Sequence, residues 1–455
     1  MGKLWSKGYE LDALIESFTV GEDYLLDRRL VIADCAGSIA HSIMLGDVGL
    51  LSADEVSRVV AELRRIAKES VSGSFTVTRE DEDAHTAIEN ELVATLGDVG
   101  KKVHTGRSRN DQVLLALRLF EREFLLAVER DLYDLIDELL GFARTHASVP
   151  MVGRTHMQPA MPSSVGLWAA SWAEELLVDG GLLSHAFVPV NRSPLGSAAS
   201  YGTSLPLNRE RVAELLAFHG VVTNVLWANN SRGKLESIIA DALDQLGLTL
   251  SKMAQDLILF SLPEFGYFSL PDELCTGSSI MPQKRNPDGL ELVRAKSATL
   301  SAYASQIRNV IRGLPSGYNR DFQETKGPLF RAMDTAIASI RVMLLTVNRT
   351  TVNADRLRAA FTPDVFATDA AYELVETGVP FRDAYRAVAA SLGELKDHDP
   401  DAAIDRRTAT GTPGNLGLGA AESELASRRA AVEERAAAIS AATRSILEME
   451  LPLFS

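Results

Sequence analysis

Cysteine is nearly missing: Cys35 and Cys275 are the two in 455 residues. A disulfide framework is thereby excluded, and a reducing cytoplasm is the expected location. The eight histidines form no His-x-x-x-His pair and the cysteines no Cys-x-x-Cys, so neither a metal site nor a metal is expected. No glycine-rich phosphate loop or dinucleotide fingerprint follows a strand. No apolar run approaches about 18 residues, so no membrane span is expected. Met1-Gly2-Lys3-Leu4-Trp5 lacks the apolar core of a signal peptide. Positive charge is short as well: 46 Lys and Arg against 61 Asp and Glu leave a net −15. That balance argues against nucleic acid or an anionic membrane as partner. It says little about a small-molecule substrate, because a cationic pocket can sit in an acidic protein.

Apolar residues make up 46%, enough for a large interior, and the length exceeds one ordinary core. Short helices are expected over 1–106, with Ser52 capping one of them through Asp54 and Glu55. Val113, Leu117, Phe120, Phe124, Val128, Leu132, Leu135 and Leu139 recur at threes and fours. Further long helices are expected at about 234–262, 287–312 and 327–348. Long antiparallel helices make a bundle, and their wide apolar faces suggest contact with other subunits. Beyond about 361 the composition shifts, with a Gly- and Pro-rich loop at 400–419 and an Ala-rich helix at 422–448. The expected divisions are 1–106, 107–360 and 361–455.

Five polar strings interrupt this pattern. Asp83-Ala84-His85-Thr86 reads, by itself, as a helix start with a solvated histidine. Ser108-Arg109-Asn110-Asp111 places an arginine fork, suited to carboxylates, beside three possible helix caps. Gly153-Arg154-Thr155-His156-Met157-Gln158-Pro159 sets an imidazole, able to move protons near neutrality, in a proline-fixed turn. The run from Thr276 to Asp288 joins Gly277, Ser278, Ser279, Pro282, Lys284 and Arg285 in a loop no regular helix tolerates. Asn286, Pro287 and Asp288 then read as N-cap, N1 and N2 of the next helix, whose amino end favours anions. Tyr318 to Lys326 reads as a polar turn before a helix.

Gly277-Ser-Ser-Ile-Met-Pro-Gln-Lys-Arg-Asn-Pro-Asp288 resembles the signature loop of the fumarase/aspartase superfamily. With Gln283, Asp288 and Glu291 it is most similar to the argininosuccinate lyases. The other strings resemble boxes of the same family, in family order. The resemblance implies an all-α, three-domain fold with a central long-helix bundle and a homotetramer in which three subunits build each site. It implies β-elimination of argininosuccinate to arginine and fumarate, without metal or organic cofactor. Ser278 is then the candidate base and His156 the candidate acid, or the reverse. Lys284 stabilises the aci-carboxylate, and Glu291 holds His156. Asn110, Thr155, Asn286, Tyr318, Gln323, Lys326, Arg109 and Ser108 are candidate substrate contacts, with Asp83 and His85 more distant. Some positions depart from the pattern. Ser6-Lys7 replaces the usual Gly-Gly-Arg, Ile88 a usual asparagine, and the family's serine near Thr19–Asp27 has no clear counterpart. Arg154 stands where argininosuccinate lyases usually carry tyrosine, a usage closer to fumarase and adenylosuccinate lyase; adenylosuccinate lyase, or another fumarate-releasing lyase of the superfamily, is the alternative activity. A structural protein of the crystallin kind is the alternative of another class.

Overall fold

The computed structural model describes residues 12–396 and 398–449. The Met1–Trp5 segment and Ser6-Lys7 lie outside them.

The chain is built on helices. In order, those that matter here are α1 (Val31–Asp47), α2 (Ala53–Ser72), α3 (Ala84–Leu96) and α4 (Arg109–Thr145). They are followed by α5 (Val165–Val190), α6 (Lys234–Ser261), α7 (Asp288–Ile311), α8 (Lys326–Arg349) and α9 (Leu418–Leu447). α4, α5, α6, α7 and α8 pack against one another as a bundle. Buried apolar residues of α4 occupy more than one face: Leu114, Leu125, Leu132 and Leu139 line one, and Leu115, Leu119, Leu126 and Leu140 another. That explains the breadth of its stripe, since α1, α5, α8 and α9 all pack against it.

Ser52 caps α2 in a capping box with Glu55, as the sequence suggests. α4 begins at Arg109, earlier than the apolar repeat indicates. Ser108 is its N-cap, and Asp111 completes a second capping box. α5 was not legible. It is rich in small residues because it lies close to α4: a Cβ on Gly166 would stand 2.8 Å from the Ala143 carbonyl oxygen. The C-terminal helix α9 contributes Leu425, Val432, Ile439 and Leu447 to the main core, while Ala371, Ala384 and Val388 form a small cluster apart from it.

Two short antiparallel pairs depart from the helical scheme: β1 (Pro150–Thr155) with β2 (Gln158–Ser164), and β3 (Phe268–Ser269) with β4 (Thr351–Val352). The first pair turns what the prolines suggested was a simple bend into a hairpin, with its register shifted between Gly153 and Arg154. Among the described residues, no single helix is long and apolar enough to cross a membrane.

Candidate active site

The first element of the site is a polar cleft between the amino end of α4 and the segment that precedes α8. Asp23, Glu82, Asp83, Arg109, Asn110, Arg232, Tyr318, Arg320 and Gln323 line it. The sequence strings around 83, 109 and 318 therefore meet in space. Acidic and cationic groups alternate on the walls. Arg109 lies 3.3 Å from Asp83 and 3.6 Å from Glu82. Arg232 faces the Tyr318 ring at 5.7 Å, and its Nε is buried without a hydrogen-bond partner. Gln323 and Arg320 both donate to the Thr19 carbonyl, at 3.1 and 2.7 Å. Such a surface suits a substrate carrying both carboxylates and cations.

Lys326 does not line the cleft. Its ammonium is buried and donates to Asp23 at 2.7 Å and to Asp27. Burial lifts the Asp23 carboxyl to about 6, against the pull of Lys326 and with the push of Asp27. Asp23 and Arg232 escaped the sequence reading. Asp23 sits in the Thr19–Asp27 region, and its relevance depends on Lys326, 303 residues away. Ser108 is occupied as a cap: its hydroxyl accepts from the Asn110 N–H at 3.3 Å. Asp111 fastens the cleft wall further, accepting from Gly196 and Ala198 N–H at 3.0 and 2.8 Å. Asp83 caps α3 through the Thr86 N–H at 2.8 Å. His85 is buried outside the cleft, next to His104.

The second element is the β1–β2 hairpin. Thr155 ends one strand, and His156 and Met157 form the turn with φ of 52° and 64°. Two successive positive φ values are what a tight two-residue hairpin needs, but neither residue is the glycine or asparagine that usually supplies them. Strain of this kind collects at functional positions. Thr155, His156 and Met157 are all exposed. Arg154 is engaged locally: it donates to the Met157 carbonyl at 3.1 Å and stacks over Phe265 at 4.9 Å.

The third element is the loop between Cys275 and α7. Its neck is a backbone bridge in which Thr276 and Asn286 exchange hydrogen bonds of 3.0 and 2.9 Å. This pairing overturns the expected capping. Asn286 is held extended, so Pro287 becomes the N-cap position and α7 starts at Asp288. The Asn286 side chain instead donates to the Gly277 carbonyl at 3.4 Å. Ser278 Oγ accepts from the Met281 and Ile280 N–H groups at 3.1 and 3.3 Å. Lys284 and Glu291 are exposed. Among the described residues of one chain, no hydrogen bond or ion pair joins Glu291 to His156, and neither Ser278, Lys284 nor His156 lines the cleft.

A helical bundle of this order, with a cleft lined by arginines and carboxylates, is the architecture of a lyase: a family model described as "Lyase" matches residues 8–301. The chain is 44% identical over 416 residues to an argininosuccinate lyase of Sorangium cellulosum, covering 91% of this chain and 96% of that one. It is 42% identical over 395 residues to that of Thermotoga neapolitana, covering 87% and 99%. The chain belongs to the argininosuccinate lyase family. The fold is also that of an EDDS lyase solved with formate (TM-score 0.81, 23% identity, 97% of this chain and 95% of that one). A class II fumarase from Schistosoma mansoni shares it too (TM-score 0.69, 17% identity, 85% and 94%).

Proposed function

We propose that this protein catalyses the β-elimination of argininosuccinate to arginine and fumarate. The observation that carries this reading is the cleft in which Asn110, Arg109, Tyr318, Gln323, Asp23 and Arg232 converge. Its arginines complement the succinyl carboxylates, and its acids the amino and guanidino groups.

The chemistry asks for a base at a weakly acidic C–H, an acid at the departing nitrogen and positive groups around the aci-carboxylate. Ser278 serves as the base. Two backbone N–H groups aimed at its Oγ stabilise negative charge there. Lys284 and the amino end of α7 receive the developing dianion. His156, with Thr155 beside it, delivers or orients the proton for the guanidino nitrogen, and Glu291 fixes its imidazole. Asn286 supports the loop around Ser278. Lys326 acts through Asp23. In one chain these elements stand outside the cleft lining, so a complete site draws the hairpin and the loop from neighbouring copies. Exposed apolar residues on the bundle helices support a homotetramer: Val178 and Leu182 on α5, Leu248 on α6, Leu292 on α7, and Val342 and Leu345 on α8. The two free cysteines suit a reducing cytoplasm.

Arg154 was the one residue favouring adenylosuccinate. Its guanidinium is committed to Met157 and Phe265, which leaves that reading without its phosphate anchor. The test is to supply each substrate and follow fumarate absorbance, with light scattering to give the mass in solution. Turnover of argininosuccinate by a tetramer is expected. Turnover of adenylosuccinate alone, or of neither, overturns the assignment.

A further inference from the structure

A second, small cavity is bordered by Ser38, Ile88, Leu92, Val103, Arg107 and Gln112, and three ligand-type side chains meet in it. α3 carries His85 and Glu89 one turn apart, and His104 returns to them from the segment leading into α4. His85 Nε2 lies 3.5 Å from Glu89 Oε2, and His104 Nδ1 lies 3.6 Å from the same oxygen. The three donor atoms are all within 4.8 Å of one another.

These separations are too long for good hydrogen bonds, which for such groups run about 2.7–3.0 Å. They match another arrangement. Two ligands on one tetrahedral zinc, each at about 2.0–2.1 Å, stand about 3.4 Å apart. His104 Nδ1 is buried with no hydrogen-bond partner, although it is the nitrogen turned toward Glu89. His85 is 2% exposed and Glu89 16%. Burial and the nearby Arg107 hold both imidazoles below their usual range. Arg109, paired with Asp83 and Glu82, and Arg107 are the charges that oppose a cation here, Arg107 the stronger. Arg107 is answered by Asp34 and Asp111 as well as Glu89, and it donates to Ser38 at 2.9 Å.

We propose that His85, Glu89 and His104 form a three-ligand site for a divalent transition metal of the zinc class, with its open position toward the small cavity. His85-x-x-x-Glu89 has the helical spacing of a two-histidine ligand pair, with a carboxylate in the second place. The metal ties α3 to the strand of chain that carries Arg107, Arg109 and Asn110, and so braces the cleft wall. The site stands independently of the proposed lyase reaction.

The test uses the intact protein, stripped with a chelator and titrated with Zn²⁺ and Co²⁺. One ion per chain is expected, with the intense visible absorbance of tetrahedral cobalt and a rise in Tm that the chelator reverses. His104→Ala and Glu89→Gln each weaken binding at least about tenfold. Mg²⁺, which prefers oxygen ligands, competes poorly. If His104→Ala fails to fold, Glu89→Gln gives the same readout from a partly buried carboxylate. Absence of saturable binding, or an unchanged affinity in the folded variants, overturns the site. Metal binding is read without substrate, so failure of the site and failure of the lyase reading are told apart by the separate fumarate assay.

Discussion

The Lys326 ammonium lies 2.7 Å from the Asp23 carboxylate, across a separation of 303 residues. The pair joins the cleft floor to the amino end of α8, and burial keeps the acid titrating near 6. A cationic group of the substrate needs the ionised form. KM is therefore expected to fall as pH rises through about 6. Asp23→Asn raises KM about 10- to 100-fold, the loss of one charge-assisted hydrogen bond, and flattens that profile. Steady-state kinetics from pH 5 to 8, pH values chosen to bracket about 6, decide it. A KM indifferent to both pH and substitution means that substrate binds elsewhere.

Ser278→Ala removes the proposed base without disturbing the loop neck, which is made of backbone bonds between Thr276 and Asn286. A drop in kcat of about 10²-fold or more is expected, within the range set by general base catalysis, with an unchanged Tm. Retained activity assigns the base to another group.

The strained turn gives a test of the hairpin. Met157→Gly relieves a positive φ of 64° at an exposed residue and is expected to stabilise the protein by about 0.5–1 kcal/mol. His156→Asn keeps a residue tolerant of left-handed backbone but removes the proposed proton donor, so kcat is expected to fall while Tm holds. Mixing His156→Asn with Ser278→Ala protein after reversible dissociation should restore part of the activity if the proposed tetramer shares its sites between copies, because hybrids would then contain sites with both groups intact. No recovery in proven hybrids places both groups in one subunit.

Asp179, buried on α5 with Oδ2 unpartnered, has its carboxyl lifted by burial to about 6. The folded protein keeps this proton up to about 6, whereas the unfolded chain releases it near 3.8. Stability is thus lost as pH rises between those values, and the penalty is complete above them. Asp179→Asn is expected to add up to about 3 kcal/mol above pH 6 and nothing below about pH 4. Tm of both proteins at the two ends of that range measures it.

Much of the bundle was legible because α4, α6, α7 and α8 carry strong apolar repeats. α5 was not, since Gly166, Ala169, Ala170, Gly180 and Gly181 blur its stripe, and their small size serves close helix approach rather than periodicity. The hairpin stayed hidden because His156 and Met157 lack the Asn-Gly signal of their turn. Polar strings marked most of the cleft, because residues unsuited to helices stand out among helices. Asp23 and Arg232 carry no such local mark. The pairing of Asn286 with Thr276 overrode a capping pattern that local chemistry alone would have favoured.

That pairing also sets a radius of action. A chain pinched at Thr276 and Asn286 behaves as a noose: it can tilt about its knot, but it cannot pay out more length. Residues 277–285, doubled back on themselves, carry Ser278 and Lys284 no more than about 15 Å from the knot. In the proposed shared site, an adjoining protomer must accordingly bring its imidazole inside that small sphere, which would make the spacing between copies as much a part of the catalyst as any side chain.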